Sequence, residues 1–490
     1  MTSKTLFAST DVWNGKIYSN GWKHGDLGTE DVTEKATVAK LGTIGIASAE
    51  NIATAAASAR EAQKAWAKLA GPQRGDVLRE AARLVLAHAD ELTEQLIRET
   101  GSIRAKAQWE VHVTARELLE AAALGSQPQG ILTQTMEAGF QSIARRIPLG
   151  IVGIITPWNS PFILGVRAIG PALAMGNAVL LKPDVQSPII GGVAFARLFE
   201  LAGLPEGLFH VLPGAAQTGA ALVREPLVNM ISFTGSSNVG REVGSVASGQ
   251  LKRVSLELGG NNPFIVLDDA DVEAASSAGA WGSFFHQGQI CLTTGRHLVH
   301  ESIAEAYVDA LVRKAKALVV GNPLDEKVQI GPIINERQAA GAERIVVETV
   351  AEGGKLLTGG SRNGLFFEPT VITGVTAGMA AFDKEIFGPV AAITTFGTDE
   401  EAIALANATD YGLSAAVVSP DLARAQRIAD ALHSGVVHIN DQTVVHGIYG
   451  PIGGVGISGN GFGHGASSNA DQFTEWQWIT VHPKLPDYPF

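Results

Sequence analysis

Cys291 is the one cysteine in 490 residues, and it closes the phrase Gly288-Gln289-Ile290-Cys291. A thiolate is the best soft nucleophile a protein has. Upstream, in Leu256-Glu257-Leu258-Gly259-Gly260, stands a carboxylate that could relay protons for it. The competing reading is that a lone cysteine is a small buried hydrophobe, the commoner fate of free thiols. Glu257 has its own bland reading as a surface carboxylate at the end of a strand.

Such a pair acts only if folded elements bring it together. From 48 to 124 the chain is rich in Ala, Glu, Arg and Leu, with Pro72 and Gly101 as punctuation. Leu78, Ala82, Leu86, Leu92 and Leu96 recur at helical spacing, which predicts three or four helices. After a Gly/Gln/Pro stretch at 125–130, alternation through Thr133, Thr135 and 141–147 predicts a protruding strand pair. Short apolar runs at 151–155, 178–181, 208–212, 230–233 and 253–256 end in turn residues, with helix-like segments such as 191–201 between them. That rhythm predicts a doubly wound parallel sheet. A second βα series runs from Pro263 to about Asn440, with helices over 302–319 and 400–406. Gly-rich 447–465 reads as a long loop, flexible over 454–459, and 473–481 alternates like an edge strand.

Bulk properties narrow the class. The chain is 46% hydrophobic and 18% charged, as a well-buried globular protein would be. A net charge of −12 argues against a nucleic-acid partner. No apolar run reaches the roughly eighteen residues a membrane span needs, and the N-terminus lacks the apolar core of a signal peptide. The expectation is a cytoplasmic protein with no disulfide. Twelve histidines form no H-E-x-x-H and pair with no second cysteine, so no metal site is expected. Gly454-Val455-Gly456-Ile457-Ser458-Gly459 matches G-x-G-x-x-G in form but lacks a leading strand and a following helix. Gly235 to Gly240 resembles a P-loop start, yet Arg241-Glu242 replaces Lys-Ser/Thr. It does follow a strand and precede a helix-like stretch, so a diphosphate could sit on that helix N-terminus.

Six phrases stand in order along the chain: Ile155-Thr156-Pro157-Trp158-Asn159, Lys182-Pro183, Phe233-Thr234-Gly235-Ser236, Glu257-Leu258-Gly259-Gly260, Gly288-Gln289-Ile290-Cys291 and Glu385-Ile386-Phe387-Gly388-Pro389. Each alone is weak. Together, over essentially the whole chain, they resemble the aldehyde dehydrogenase superfamily. The resemblance implies an α/β fold with two doubly wound parallel-sheet domains and a small β oligomerisation element. Its segments would be a dinucleotide-binding domain at 1–124 and 148–256, a catalytic domain at 257–465, and an oligomerisation element at 125–147 and 466–490. The expected assembly is a homodimer or homotetramer.

By the same resemblance, Cys291 attacks an aldehyde carbon, hydride passes from the thiohemiacetal to a nicotinamide, and a thioester remains. The Asn159 amide and the Cys291 backbone N–H are the implied oxyanion donors, although Asn159 also reads as a turn residue before Pro161. Glu257 would activate the hydrolytic water, and the two glycines after it leave room for mobility and cofactor approach. For the cofactor, Lys182 matches an adenosine-ribose contact, and Ser236, within Gly235 to Gly240, a pyrophosphate contact. Glu385 matches the nicotinamide-ribose carboxylate, Phe387 flanks the nicotinamide, Gln338 is a weaker neighbour, and Trp158 lines the cleft. Without the ordered motifs, Lys182 and Gln338 would be solvated groups and Phe387 core packing.

Departures from the family pattern sharpen the expectation. Val185 stands where many relatives carry a ribose-binding glutamate, so NAD is expected with NADP as a workable second cofactor. Asp184 could partly substitute. Glycine in Gly453-Gly454-Val455-Gly456 where relatives have lysine, the run 159–167, and Glu475-Trp476-Gln477-Trp478 resemble the branch acting on benzaldehyde, vanillin and salicylaldehyde. Ile163, Leu164, Arg167, Phe285, Leu292 and Val445 are then expected at an apolar substrate mouth suited to an aryl ring. Ile163 and Leu164 read equally well as core. Two rivals remain: a CoA-acylating relative, which typically lacks the glutamate, and a catalytically silent cofactor-binding homologue.

Overall fold

Ile151–Ile155 and Ala178–Lys182 are buried along their whole length, as strands covered by helices on both faces must be. In the computed structural model, which describes all residues except 1–4, 8–9, 137, 446, 462 and 466–467, they lie at the centre of a seven-stranded sheet. Its spatial order is Arg253–Glu257, Met230–Thr234, Ile151–Ile155, Ala178–Lys182, Phe209–Val211, Lys16–Tyr18 and Trp22–His24. The first five strands are parallel. The last two are antiparallel additions, three residues each, too short to show a readable alternation.

A second seven-stranded sheet runs Lys355–Thr358, Thr370–Thr373, Val390–Phe396, Thr294–His300, Asn262–Val266, Ser414–Val418 and Val436–Ile439. It is parallel except for the first edge strand. Four helices, Ala49–Trp66, Gly71–Ala87, Ala89–Thr100 and Arg104–Leu124, account for the 48–124 region. Ser48 and Asn51 form a capping box at the first of these. The third ends at Gly101, whose φ of 72° suits glycine. One apolar cluster joins the last three helices to the first sheet and takes in Phe162, Phe195 and Phe473. Glu257, the residue at which the catalytic segment was expected to begin, is the last residue of the edge strand of the first sheet.

Gly130–Thr133, Gln141–Pro148 and Thr474–Val481 form a separate antiparallel sheet with the C-terminal strand at its edge. The 454–459 phrase, which reads as a flexible loop, is tied into the fold. Val455–Gly456 pairs with Tyr411–Gly412, and Leu258 N–H donates to Ser458 O at 2.9 Å. A Cβ on Gly459 would lie 2.7 Å from Leu256 O. These glycines let the segment strap the strand that carries Glu257, which is why a dinucleotide-fingerprint spelling occurs without that function.

Candidate active site

Cys291 is half-buried and follows a turn of unusual backbone. His286, Gln287 and Gly288 have φ values of 51°, 58° and 66°. Three successive left-handed residues are costly, at about 1–3 kcal/mol for each non-glycine residue. Buried side-chain bonds hold the turn. Gln287 Nε2 donates to Gly101 O at 2.8 Å and Pro332 O at 2.9 Å, and Gln289 Oε1 accepts from Ile334 N at 3.0 Å. Asn262 Nδ2 donates to Cys291 O at 2.8 Å and Thr293 O at 2.7 Å.

The Glu257 phrase passes directly beside this turn. A Cβ on Gly260 would fall 2.4 Å from Cys291 O, and one on Gly259 would fall 2.1 Å from Glu385 Oε2. The two glycines therefore serve close backbone approach. Glu257 is buried, not a surface carboxylate, and its Oε1 has no hydrogen-bond partner among the described residues. Burial pushes its carboxyl up to about 8, opposed by the Arg167 charge. The Cys291 thiol is pushed up to about 12 by burial and then by the charges of Glu385 and Glu257, with Arg167 pulling the other way. A neutral thiol near a carboxyl of raised basicity is an arrangement that can support nucleophilic chemistry. Asn159 is buried in front of the helix Pro161–Ala174, and its Nδ2 donates to Gln289 O at 2.8 Å. An amide nitrogen has two hydrogens, so one remains for a ligand.

Several features fit a dinucleotide. Lys182, at the end of its strand, is buried, and that burial lowers its pKa against the opposing pull of Asp184. The helix Ser237–Gly249 begins at Ser236 with no side-chain cap, leaving N–H groups for an anion. Gly235 N–H donates to Glu257 O at 3.0 Å, tying that loop to the strand that ends at Glu257, and Gly240 is buried against Leu258. Glu385 accepts from Gly260 N at 2.9 Å, and burial pushes its carboxyl up to about 7. Trp158 and Phe387 meet edge to face at 5.5 Å. Phe387 has φ 54°, and Gln338 Nε2 donates to its carbonyl at 3.2 Å. Gln338 thus holds the Phe387 backbone. Among the described residues no cluster of three His, Cys, Asp or Glu could hold a metal ion.

Of the residues expected at a substrate mouth, Ile163 clusters with Val113 and Ile448, with Leu164 packed against them. Phe285 stacks on Trp281 at 4.3 Å and 13°. Leu292, next to Cys291 in the chain, is buried, and Val445 is half-buried. Arg167 is buried, and its charge reaches both Cys291 and Glu257. Val113, Ile448, Trp281, Asn262, His286 and Gln287 also pack or hydrogen-bond at this site and are not marked out by the sequence. His286 and Gln287 adjoin the Cys291 phrase, but nothing in a linear pattern signals a left-handed turn at non-glycine residues.

Residues 22–479 match the Aldehyde dehydrogenase family. The chain is 49% identical over 486 residues to a vanillin dehydrogenase of Amycolatopsis sp., covering 99% of this chain and 100% of the relative. It is 43% identical to a benzaldehyde dehydrogenase [NAD(+)] of Pseudomonas putida, covering 98% of each. The crystal structure of an NAD-dependent aldehyde dehydrogenase from Sinorhizobium meliloti superposes with a TM-score of 0.94 at 34% identity, covering 97% of this chain and 96% of that one. The chain belongs to the aldehyde dehydrogenase family, enzymes that oxidise aldehydes with NAD(P)+ as hydride acceptor.

Proposed function

We propose that this protein oxidises an aromatic aldehyde to its carboxylic acid, with Cys291 as nucleophile, Asn159 as oxyanion donor and Glu257 as general base. The observation that carries the reading is the convergence of the three. Gly260 lies against Cys291 O, Asn159 Nδ2 reaches Gln289 O in the same turn, and the Glu257 charge acts on the thiol. Cys291 gives up its proton to solvent and attacks the carbonyl carbon as a thiolate. The free Asn159 N–H and the Cys291 backbone N–H receive the oxyanion. Lys182, the Ser236 helix N-terminus and Glu385 would hold NAD(P)+, which when bound would accept the hydride leaving the tetrahedral carbon, so that a thioester remains on Cys291. Glu257 then takes a proton from water, which hydrolyses the thioester and frees the acid.

The vanillin and benzaldehyde relatives support an aromatic substrate. So does the apolar cluster of Ile163, Val113 and Ile448, with the stacked Phe285 and Trp281. A cytoplasmic setting would keep the one thiol reduced. The sheet of Gly130–Thr133, Gln141–Pro148 and Thr474–Val481 exposes Leu132, Trp476 and Trp478, which supports a homodimer or homotetramer built through it. The test is NAD(P)H absorbance with benzaldehyde, with and without CoA, in the parent and in Cys291→Ala. CoA-independent turnover that vanishes in the variant is expected. A CoA requirement would favour acyl transfer to CoA, and no turnover on any aryl aldehyde would overturn the substrate class.

A further inference from the structure

We propose that Lys106 and His286 are positioning residues that aim the Asn159 side chain by clamping its main-chain carbonyl. This rests on the reading of Asn159 as an oxyanion donor. Lys106 Nζ donates to Asn159 O at 3.0 Å, and His286 Nε2 reaches the same oxygen at 2.8 Å. The two donors come from different elements. Lys106 lies on the helix Arg104–Leu124, and His286 lies in the left-handed turn that leads to Cys291. The Asn159 side chain is tied to that turn as well, through Gln289 O at 2.8 Å. Main chain and side chain of one residue are thus fastened to the segment that carries the nucleophile. A carbonyl holding two donors leaves its peptide little freedom to rotate, and the side-chain direction follows the peptide.

Glu110 completes the clamp. It pairs with Lys106 on the same helix, and its Oε1 accepts from Phe162 N at 3.0 Å and Ile163 N at 3.2 Å. Those amides open the helix Pro161–Ala174, whose N-cap Ser160 makes no side-chain cap bond. Glu110 therefore does the capping from a neighbouring helix, while its partner holds the carbonyl just before the helix. Both charged groups are buried almost completely, at 1% and 0% exposure, with no role as a solvated pair. A carbonyl can only accept, so His286 must carry its proton on Nε2, which leaves Nδ1 facing Ser102 Oγ at 3.4 Å. Burial and the Lys106 charge keep the imidazole neutral, its pKa held well below the usual range.

The test measures kcat, cofactor Kd and melting temperature for His286→Leu, His286→Gln, Lys106→Met and Lys106→Met/Glu110→Gln, each with and without Asn159→Ala. Lys106→Met alone strands a buried carboxylate and is prone to misfold, whereas the double variant keeps an acceptor for Phe162 and Ile163. His286→Leu and the double variant are expected to lower kcat about 10-fold, the value of one well-placed hydrogen bond, with cofactor Kd unchanged. His286→Gln keeps a donor of similar reach and is expected to recover most of the loss. In the Asn159→Ala background the same substitutions are expected to cost less than about twofold, because no amide remains to be aimed. Full additivity with Asn159→Ala, or an unchanged kcat in folded His286→Leu, would overturn the proposal. If Asn159→Ala itself leaves kcat unchanged, the oxyanion reading fails instead.

Discussion

At the scale of single residues, Glu257 carries a pH signature. A general base works ionised, and burial has pushed this carboxyl up to about 8. The hydrolytic step is therefore expected to accelerate as pH rises through about 8 and to weaken below it. In Glu257→Gln that limb is expected to vanish, and a stoichiometric burst of NAD(P)H is expected to precede a near-stalled steady state with acyl adduct on Cys291. Rapid-mixing absorbance and intact-protein mass spectrometry check this. Loss of both burst and adduct would assign Glu257 chiefly to thiol activation. Cofactor choice is also a residue-scale matter. Asp184 Oδ1 accepts from Gln186 N at 2.9 Å, so that carboxylate is engaged in its own loop, and the adjacent Val185 is half-buried. Val185→Glu is expected to raise the preference for NAD+ mainly by weakening NADP+. An equal ratio of kcat/KM values in parent and variant would mean that Val185 does not face the ribose.

At the scale of elements, the nucleophile turn depends on Gly288. With φ 66° and a hypothetical Cβ only 2.1 Å from Gly388 O, it packs its backbone on the Glu385-to-Pro389 loop. Gly288→Ala is expected to cost about 1–3 kcal/mol in strain and to push the two loops apart. Both melting temperature and turnover should fall. A variant matching the parent in both would mean that the loops relax freely. The helix spacing around Leu78 to Leu96 and the apolar runs of the two sheets were legible because burial imposes periods of 3.6 and 2 on any sequence. The Lys106–Glu110 pair was not, because lysine and glutamate at i,i+4 look like any solvated surface pair.

At the scale of the whole molecule, the separate antiparallel sheet is the feature that a monomer leaves unexplained. Leu132 is 80% exposed and Trp478 is 72% exposed on that sheet. Arg146 stacks over Trp476 at 4.3 Å and pairs with Asp471, bracing the edge strand as a rigid surface. Leu132→Asp combined with Trp478→Glu is expected to shift the protein to a smaller species in light scattering after size exclusion. An identical mass for parent and variant would remove this sheet from the interface.

Composition and order of motifs determined the α/β class and the family. They also singled out the chemically competent residues, since a lone cysteine, a carboxylate followed by two glycines and an ordered set of phrases are linear facts. The tertiary structure alone decided the state of those residues. Glu257 looks like a strand-end carboxylate in the chain, yet the 447–465 strap and the edge of the first sheet bury it and raise its basicity. Asn159 looks like a turn residue, yet donors from the helix Arg104–Leu124 and the turn before Cys291 meet on its carbonyl. Such contacts join positions far apart in the chain, and burial and charge depend on what folds against a group rather than on what precedes it. No local pattern of residue types encodes them.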